Sequence, residues 1–298
     1  MQVTGTALRT LGVSFNSLFS GGLTQVASQL AMIASSVPSS TKTNEYSWLG
    51  ELPGMREWLG DRQAQQLKAH GYSIDNRDFE HTIEVKRTDI EDDNLGQYNM
   101  LFTAQGRAAG AHPDQLVFGA LTNGHTTNCY DGQFFFDTDH PVIDVNGAVQ
   151  NVSNSLSLGG PSAPWFLIDD SQPVKPIIFQ ERQKMLFRAM DNPDNPEVFN
   201  RNVYKYGVDY RANVGYGFWQ FAVRSQATLD SAGYEAARIA LANVTGDYGR
   251  KIGARGRLLV VPSALEGAGV RLLNNQMNAA GASNEWAGTA KLLVADWL

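Results

Sequence analysis

The stretch Asp89–Gly124 reads DIEDDNLGQYNMLFTAQGRAAGAHPDQLVFGALTNG, and it carries the longest helical pattern in the chain. Leu95, Tyr98, Leu101 and Phe102 recur at the three- and four-residue spacing that lines one buried helix face. Ala104, Ala108, Ala109 and Ala111 keep the middle slim enough for close packing. Pro113 lacks the N–H that a helix interior uses and predicts a kink or a restart. Leu116, Val117, Ala120 and Leu121 then resume the stripe, and Asn123-Gly124 closes it. Asp92, Asp93 and Asn94 stand where side chains cap a first turn, and acidic groups suit the positive end of the helix dipole.

Upstream, Tyr72–Arg87 alternates apolar and polar residues around Asp75-Asn76-Arg77-Asp78, which predicts strand, turn, strand. A charged strand pair buries little by itself, so this segment is expected to leave the body as a long loop. Pro53 is placed to open a short helix through Trp58. Residues 1–43 are poor in charge. Leu8, Leu11, Phe15, Leu18 and Phe19 form a helical stripe, Gly21-Gly22 is expected to break it, and Val26, Leu30 and Ile33 begin a second. The Ser/Thr/Pro/Asn run that follows reads as a linker. Such a segment is expected to be an arm with little core of its own, packed on a neighbouring subunit or on its own domain.

Downstream, Gln133–Asp144 predicts a strand and then a turn at Asp139-His140-Pro141. Ser155–Asp170 and Pro173–Arg182 read as two strands, Met190–Asn202 as a polar, proline-broken loop, and Lys205–Gln226 as a paired strand. Leu229–Gly253 holds an amphipathic helix that Asp230 or Ser231 caps, with Tyr234, Ala237, Ile239 and Leu241 patterning it. Arg257–Asn275 is a strand followed by a short helix, and the end of the chain is a strand. Helices and strands interleave without a βαβ repeat, so the fold class is mixed α+β.

With 298 residues, 43% hydrophobic and 18% charged, the chain can bury a sizeable core. Its net charge of −6 argues against a tight nucleic-acid clamp and suits a container. The single cysteine, Cys129, permits no intrachain disulfide and no cysteine-rich zinc site. Neither a signal peptide nor a run of about 18 apolar residues is expected to make this a secreted or membrane-spanning chain. The densest chemistry lies in HTTNCYDGQFFFDTDH, His125–His140. A metal reading takes Asp137, Asp139 and His140 as ligands, but on a strand His140 points away from the two aspartates. A nucleophile reading pairs Cys129 with His125 or His140, although the spacing alone says little. Turn aspartates bonded to local backbone and a small buried thiol are the plainer readings. The acids Glu91, Asp92 and Asp93 are explained by a helix start. Arg250, Lys251, Arg255 and Arg257 could meet phosphate or an acidic neighbour, or form a solvated loop.

Four stretches carry a resemblance: SWLGELPGMREWLGDR (Ser47–Arg62), FEHTIEVKRTDIEDDNLGQY (Phe79–Tyr98), CYDGQFFFDTDHP (Cys129–Pro141) and YGVDYRANVGYGFWQ (Tyr206–Gln220). In order, along nearly the whole chain, they resemble the Mu-like phage major head subunit (T protein) family. The resemblance implies an α+β, HK97-like capsid fold. Residues 1–43 would be the N-terminal arm, 44–88 the extended β-hairpin loop, and 89–130 a peripheral domain with a long spine helix. Residues 131–279 would be the axial domain, and a strand at about 280–298 would return to the peripheral sheet. It also implies hexamers and pentamers in an icosahedral shell around double-stranded DNA, without sequence-specific DNA contacts. Implied partners are a scaffold or protease, a portal and decoration proteins. The implied location is the virion, after assembly in the bacterial cytoplasm. No catalytic, cofactor or metal residue is expected. Trp48, Arg56, Trp58 and Arg62 are candidate interface residues, since Trp and Arg are enriched at contact hot spots; Glu91 and Asp92 complete the set. Two other readings stay open: an encapsulin-like nanocompartment shell, and a metal or thiol hydrolase built on Cys129–His140.

Overall fold

A computed structural model describes residues 3–49, 71–193, 195–277 and 281–298. In chain order its helices are α1 (Gly5–Thr24), α2 (Leu30–Ile33), α3 (Arg87–Glu91), α4 (Gly96–Asn123), α5 (Pro196–Arg201), α6 (Ser231–Asn243) and α7 (Glu266–Leu273). Its strands are β1 (Ala34–Pro38), β2 (Thr43–Glu45), β3 (Ser73–Asp75), β4 (Arg77–Lys86), β5 (His140–Ile143), β6 (Val149–Val152), β7 (Ser155–Leu156), β8 (Trp165–Ile168), β9 (Ile177–Met190), β10 (Val203–Tyr216), β11 (Ala222–Ser225), β12 (Thr245–Gly246), β13 (Arg250–Lys251), β14 (Leu258–Pro262) and β15 (Lys291–Ala295).

Two sheets organise the chain. The first has the order β1-β9-β10-β4, with β9 and β10 as a long antiparallel ribbon, β4 antiparallel on the far side of β10, and β1 parallel to the start of β9. The second has the order β15-β14-β8-β11-β7. Its central strands read WFLI and LLVVP and are buried at every residue, as a sheet covered on both faces requires. A large apolar core spans the second sheet and the near half of the first, including Trp165, Phe166, Tyr216 and Trp219. A smaller core joins Leu8 and Phe15 of α1, Tyr98 and Phe102 of α4, Val85 of β4, and Tyr204 and Tyr206 of β10.

The helix α1 lies along α4 with glycine at the closest points. A Cβ on Gly22 would fall on the Thr103 carbonyl oxygen, and a Cβ on Gly106 would fall on the Phe19 carbonyl oxygen. With hydrogen there instead, the two backbones approach, and Phe15 stacks on Phe102 at 4.1 Å. At the far end, Asp114 on α4 accepts from Ser28 Oγ (2.7 Å) and from the backbone N–H groups of Gln29 and Leu30 (3.1 and 2.8 Å), fixing the start of α2. Asp230 caps α6 by accepting from the Gly233 N–H at 2.8 Å. Asp230→Ala is expected to cost about 1 kcal/mol in urea unfolding, with a smaller loss for Asp230→Ser.

Several expectations are corrected. The helix α1 runs through Gly21-Gly22 without a break, because the glycine there is a packing surface, and it shares the small core with α4 and β10. The strands on either side of Asp75-Asn76-Arg77-Asp78 do not form a hairpin; β3 pairs with β2, and β4 pairs along its length with β10. The acids before the long helix do not cap it. Asp92 ends α3, Asp93 turns with φ +58°, and α4 begins after Leu95 with no side-chain cap. Pro113 is accommodated inside one continuous helix, and Leu101 is 49% exposed instead of joining the stripe. Phe135 and Phe136 are buried in a turn-rich segment, and the strand begins at His140, where a turn was expected. Ile239 faces solvent while Tyr234, Ala237 and Leu241 pack inward. Finally, β15 does not return to the sheet beside α4; it pairs in parallel with β14, whose apolar edge it covers.

Candidate assembly surface and a buried Cys129 cluster

The described candidate interface residues stand at two separate places. Tyr46 and Leu49 are buried and hold Trp48 between them, with the Tyr46 hydroxyl donating to Gln180 Oε1 at 2.7 Å. The Trp48 indole lies against Phe218 (5.9 Å) and Tyr46 (6.1 Å) and remains 36% exposed. Glu91 and Asp92 sit at the turn between α3 and α4. Buried Ile90 anchors that turn, and the Tyr98 hydroxyl donates to Asp89 Oδ2 at 2.6 Å. The Asp92 N–H donates to the Thr88 carbonyl, so the two acids are presented outward, and Glu91 pairs with Arg87 at 2.8 Å. Trp48 packs on the large core and Ile90 belongs to the small one, so the structure does not bring these residues together. Arg56, Trp58 and Arg62 lie outside the described residues.

Exposed apolar side chains add surface that the pattern reading missed. Met100 is 77% exposed on α4 and Phe199 is 89% exposed on α5. The signal for Phe199 was available: one large aromatic inside the polar run Met190–Asn202 has no stripe to join. Asp169 anchors the backbone at Arg255, while the Arg255 and Arg257 side chains are exposed. The Arg255 N–H donates to Asp169 Oδ2 at 3.0 Å, and Arg257 Nε lies 3.9 Å from Asp169 Oδ1.

The chemistry of His125–His140 folds differently from either sequence reading. Asp137 accepts from the Phe134 and Thr138 N–H groups, as a turn aspartate does. Asp139 is half-buried, and its hydrogen bond with Asp137 raises its carboxyl above the ordinary value. Asp137, Asp139 and His140 therefore do not converge. Among the described residues Cys129, Asp131 and His140 converge instead, with one ligand-type atom from each within 4.8 Å of the others. A tight turn builds the first side: Cys129 N–H donates to the Gln133 carbonyl, and Gly132 takes φ +89°. Cys129 Sγ donates to Asp131 Oδ1 at 3.0 Å, and His140 Nδ1 lies 2.7 Å from Asp131 Oδ2. The His140 ring is fully buried and stacked on Trp219 at 3.9 Å and 9°. Burial, reinforced by the Asp131 charge, pushes the Cys129 thiol far up. Burial also pushes the Asp131 carboxyl up, but hydrogen bonds from His140 and Cys129 outweigh it and hold the group below the ordinary range. Both ring nitrogens of His140 are engaged elsewhere, Nδ1 with Asp131 and Nε2 with Asn154 Oδ1 at 3.3 Å, and the thiol donates to Asp131. His125 is exposed, with Nδ1 against the Thr122 carbonyl. The geometry does not activate a thiol nucleophile.

A family described as Mu-like prophage major head subunit gpT matches residues 8–298. The chain belongs to this family. It is 43% identical over 309 residues to the major capsid protein of Escherichia phage Mu, covering all of both chains. It is 42% identical over 306 residues to the Mu-like prophage FluMu major head subunit of Haemophilus influenzae, covering 100% of this chain and 99% of that one. Among solved structures, a chain of the procapsid of bacteriophage JBD30 superposes with a TM-score of 0.87 at 43% identity, over 99% of this chain and 100% of that one. A chain of the JBD30 capsid gives 0.78 at 32% identity over 91% of each. The α+β architecture is thus that of phage major capsid proteins, the HK97-like fold. No described helix is long and apolar enough to cross a membrane.

Proposed function

We propose that this head-subunit chain acts by self-assembly, forming hexamers and pentamers of an icosahedral shell that encloses double-stranded DNA. The observation that carries this reading is the likeness to the JBD30 procapsid chain along essentially the full length. In this reading the work is mechanical rather than catalytic: many modest contacts per subunit become strong when a ring or shell closes. The net charge of −6 fits a wall that contains DNA without gripping it by sequence. The segment 44–88 carries contacts to neighbours, 89–130 supplies the peripheral domain, and the part of 131–279 built on the second sheet supplies the axial domain. Partners are further copies of the chain, a scaffold or protease and a portal. Minor proteins that decorate the outside are a further class, as JBD30 capsids are decorated with minor capsid protein trimers. Assembly takes place in the bacterial cytoplasm and the product is the virion shell.

Electron microscopy of the purified chain tests this. Closed shells or capsomer rings are expected; a chain that stays strictly monomeric at high concentration would refute it. Thiol-dependent hydrolysis lost in Cys129→Ala would favour an enzyme instead, and bound enzyme cargo would favour a compartment shell.

Trp48, Arg56, Trp58, Arg62, Glu91 and Asp92 are proposed to lie at subunit contacts. Asp92→Lys changes an outward-facing side chain at a turn, so circular dichroism and the unfolding midpoint should hardly move. The concentration needed for shell formation should rise about tenfold or more, the equivalent of about 1.4 kcal/mol per contact. Unchanged assembly in sedimentation would remove Asp92 from the interface.

A further inference from the structure

Arg224 of β11 is only 4% exposed, and its Nε and Nη1 have no hydrogen-bond partner among the described residues. A guanidinium stays protonated in a protein, so this is a buried positive charge, and such a charge is costly unless something neutralises it. Arg238 of α6 shows how the same chain settles an arginine for structure alone. Its Nη1 donates to the Tyr234 hydroxyl (3.0 Å) and to the Gly256 and Thr289 carbonyls (3.1 and 3.4 Å). No such acceptor among the described residues meets Nε or Nη1 of Arg224, and burial alone shifts its pKa, downward, with no carboxylate acting on it. The strand is secured separately, since the Arg224 N–H donates to the Asn154 carbonyl at 2.9 Å. In the ladder Arg224 stands opposite Ser155 of β7 on one side and Phe166 of β8 on the other, so the three side chains share one face of the second sheet. Ser155 is buried as deeply as Arg224, and its Oγ has no partner either. Ser153 Oγ serves only the backbone there, 3.2 Å from the Ser155 nitrogen and 2.9 Å from its carbonyl oxygen. Two neighbouring strands thus turn unsatisfied donors to the same buried face, and one of them is charged. A water molecule completes a hydroxyl but brings no negative charge.

We propose that Arg224 and Ser155 form a binding site for a small oxyanion of the phosphate class. The planar guanidinium matches two oxygens of such an ion at once, and the hydroxyl donates to a third. Phe166 is fully buried and packs on Phe136 at 5.3 Å, which keeps this face apolar. Hydrogen bonds to the anion are therefore made in low-dielectric surroundings, where they are strong. Bound there, the ion ties β7, a two-residue strand at the edge of the sheet, to β11. It fastens the sheet edge and takes part in no reaction. A carboxylate from a neighbouring copy shares this acceptor chemistry, but the deep burial of both residues within one subunit favours a free ion over a side chain threaded in from outside. The site stands on the single subunit and does not depend on shell formation.

Equilibrium dialysis of the dispersed full-length chain against radiolabelled inorganic phosphate, with ionic strength held constant by chloride, tests the site. One equivalent per chain is expected, displaced by sulfate, and the thermal midpoint should rise by at least about 2 °C in saturating phosphate. Arg224→Met keeps much of the side chain's length without its charge, and it should abolish both the binding and the phosphate-dependent rise. In chloride alone it should be at least as stable as the wild type, because it removes a buried charge that lacks a counter-ion. Ser155→Ala should weaken binding about tenfold, the loss of one hydrogen bond to a charged group. No stoichiometric binding by the folded wild-type chain overturns the proposal, whatever the variants do. Binding that survives both substitutions overturns it too, since the ion then sits elsewhere. Failure of phosphate to bind, together with assembly lost in Arg224→Met, also overturns it and assigns the counter-charge to a carboxylate of a neighbouring copy.

Discussion

Gly106→Val is expected to cost about 3 kcal/mol and to separate α1 from α4. The first atom of any side chain at 106 would fall on the Phe19 carbonyl oxygen and close to the Leu23 nitrogen. Backbone atoms cannot step aside as a flexible side chain can, so the helix must move as a unit. Overpacking of this kind costs typically 1–3 kcal/mol and occasionally more; the better helix propensity of valine returns only a few tenths. Moving α1 also uncovers Phe15, Phe19 and Phe102, whose ring contacts with Phe187 and Tyr206 hold the small core together. Gly119→Ala is the control in the same helix. A Cβ there meets nothing within 4 Å, so this change should be neutral or stabilising by up to about 1 kcal/mol. Urea unfolding of the two variants beside the wild type checks the contrast, and similar midpoints for both would refute it.

The second large effect is expected at Asp169, which follows β8. Its carboxylate accepts from Ser171 Oγ (2.6 Å), the Ser171 N–H (3.1 Å), Gln172 Nε2 (3.1 Å) and the Arg255 N–H (3.0 Å). Asp169→Ala orphans these donors in one step. Hydrogen bonds to a charged group contribute about 1.5–3 kcal/mol each and are not additive, so a total near 3 kcal/mol is expected. Burial pushes the Asp169 carboxyl up, but the bonds from Ser171, Arg255 and Gln172 more than offset it, and the folded pKa lies below the ordinary value. A depressed carboxyl stabilises the folded state above the unfolded pKa of about 3.9. That stabilisation is lost as pH falls through the lower, folded value. The difference in unfolding free energy between wild type and Asp169→Ala should therefore be full near neutral pH and shrink in strong acid. A gap that stays constant with pH would show that the charge is not what holds the Arg255–Arg257 segment.

What could be read from the sequence depended on how far the deciding contacts reach. The long helix at 96–123 and the Asp230 cap were legible because each rests on residues within four positions. The break at Gly21-Gly22 was misread because a glycine that weakens an isolated helix is the residue that permits contact with a second helix, and that partner lies far along the chain. The same holds for β4: alternation correctly marked a strand but said nothing of its partner, which is β10 and not β3. In the candidate sites, the outward position of Glu91 and Asp92 followed from local polarity. The convergence of Cys129, Asp131 and His140 did not, because it needs the left-handed turn at Gly132 and the stacking of His140 on Trp219. Family membership was legible because long, unusual stretches recur in order.

The order in which the strands pair bears on how the chain is made. Ala34 pairs with Ile177, Arg77 with Ala212, and Gln29 donates to the carbonyl of Val294 near the C-terminus. A ribosome synthesising from the N-terminus thus releases β1 and β4 long before β9 and β10 exist. Contacts this distant in sequence form slowly, and unpaired edges stick to one another while they wait. Until β9 and β10 emerge, the first partners of a nascent head subunit are whatever shields those edges.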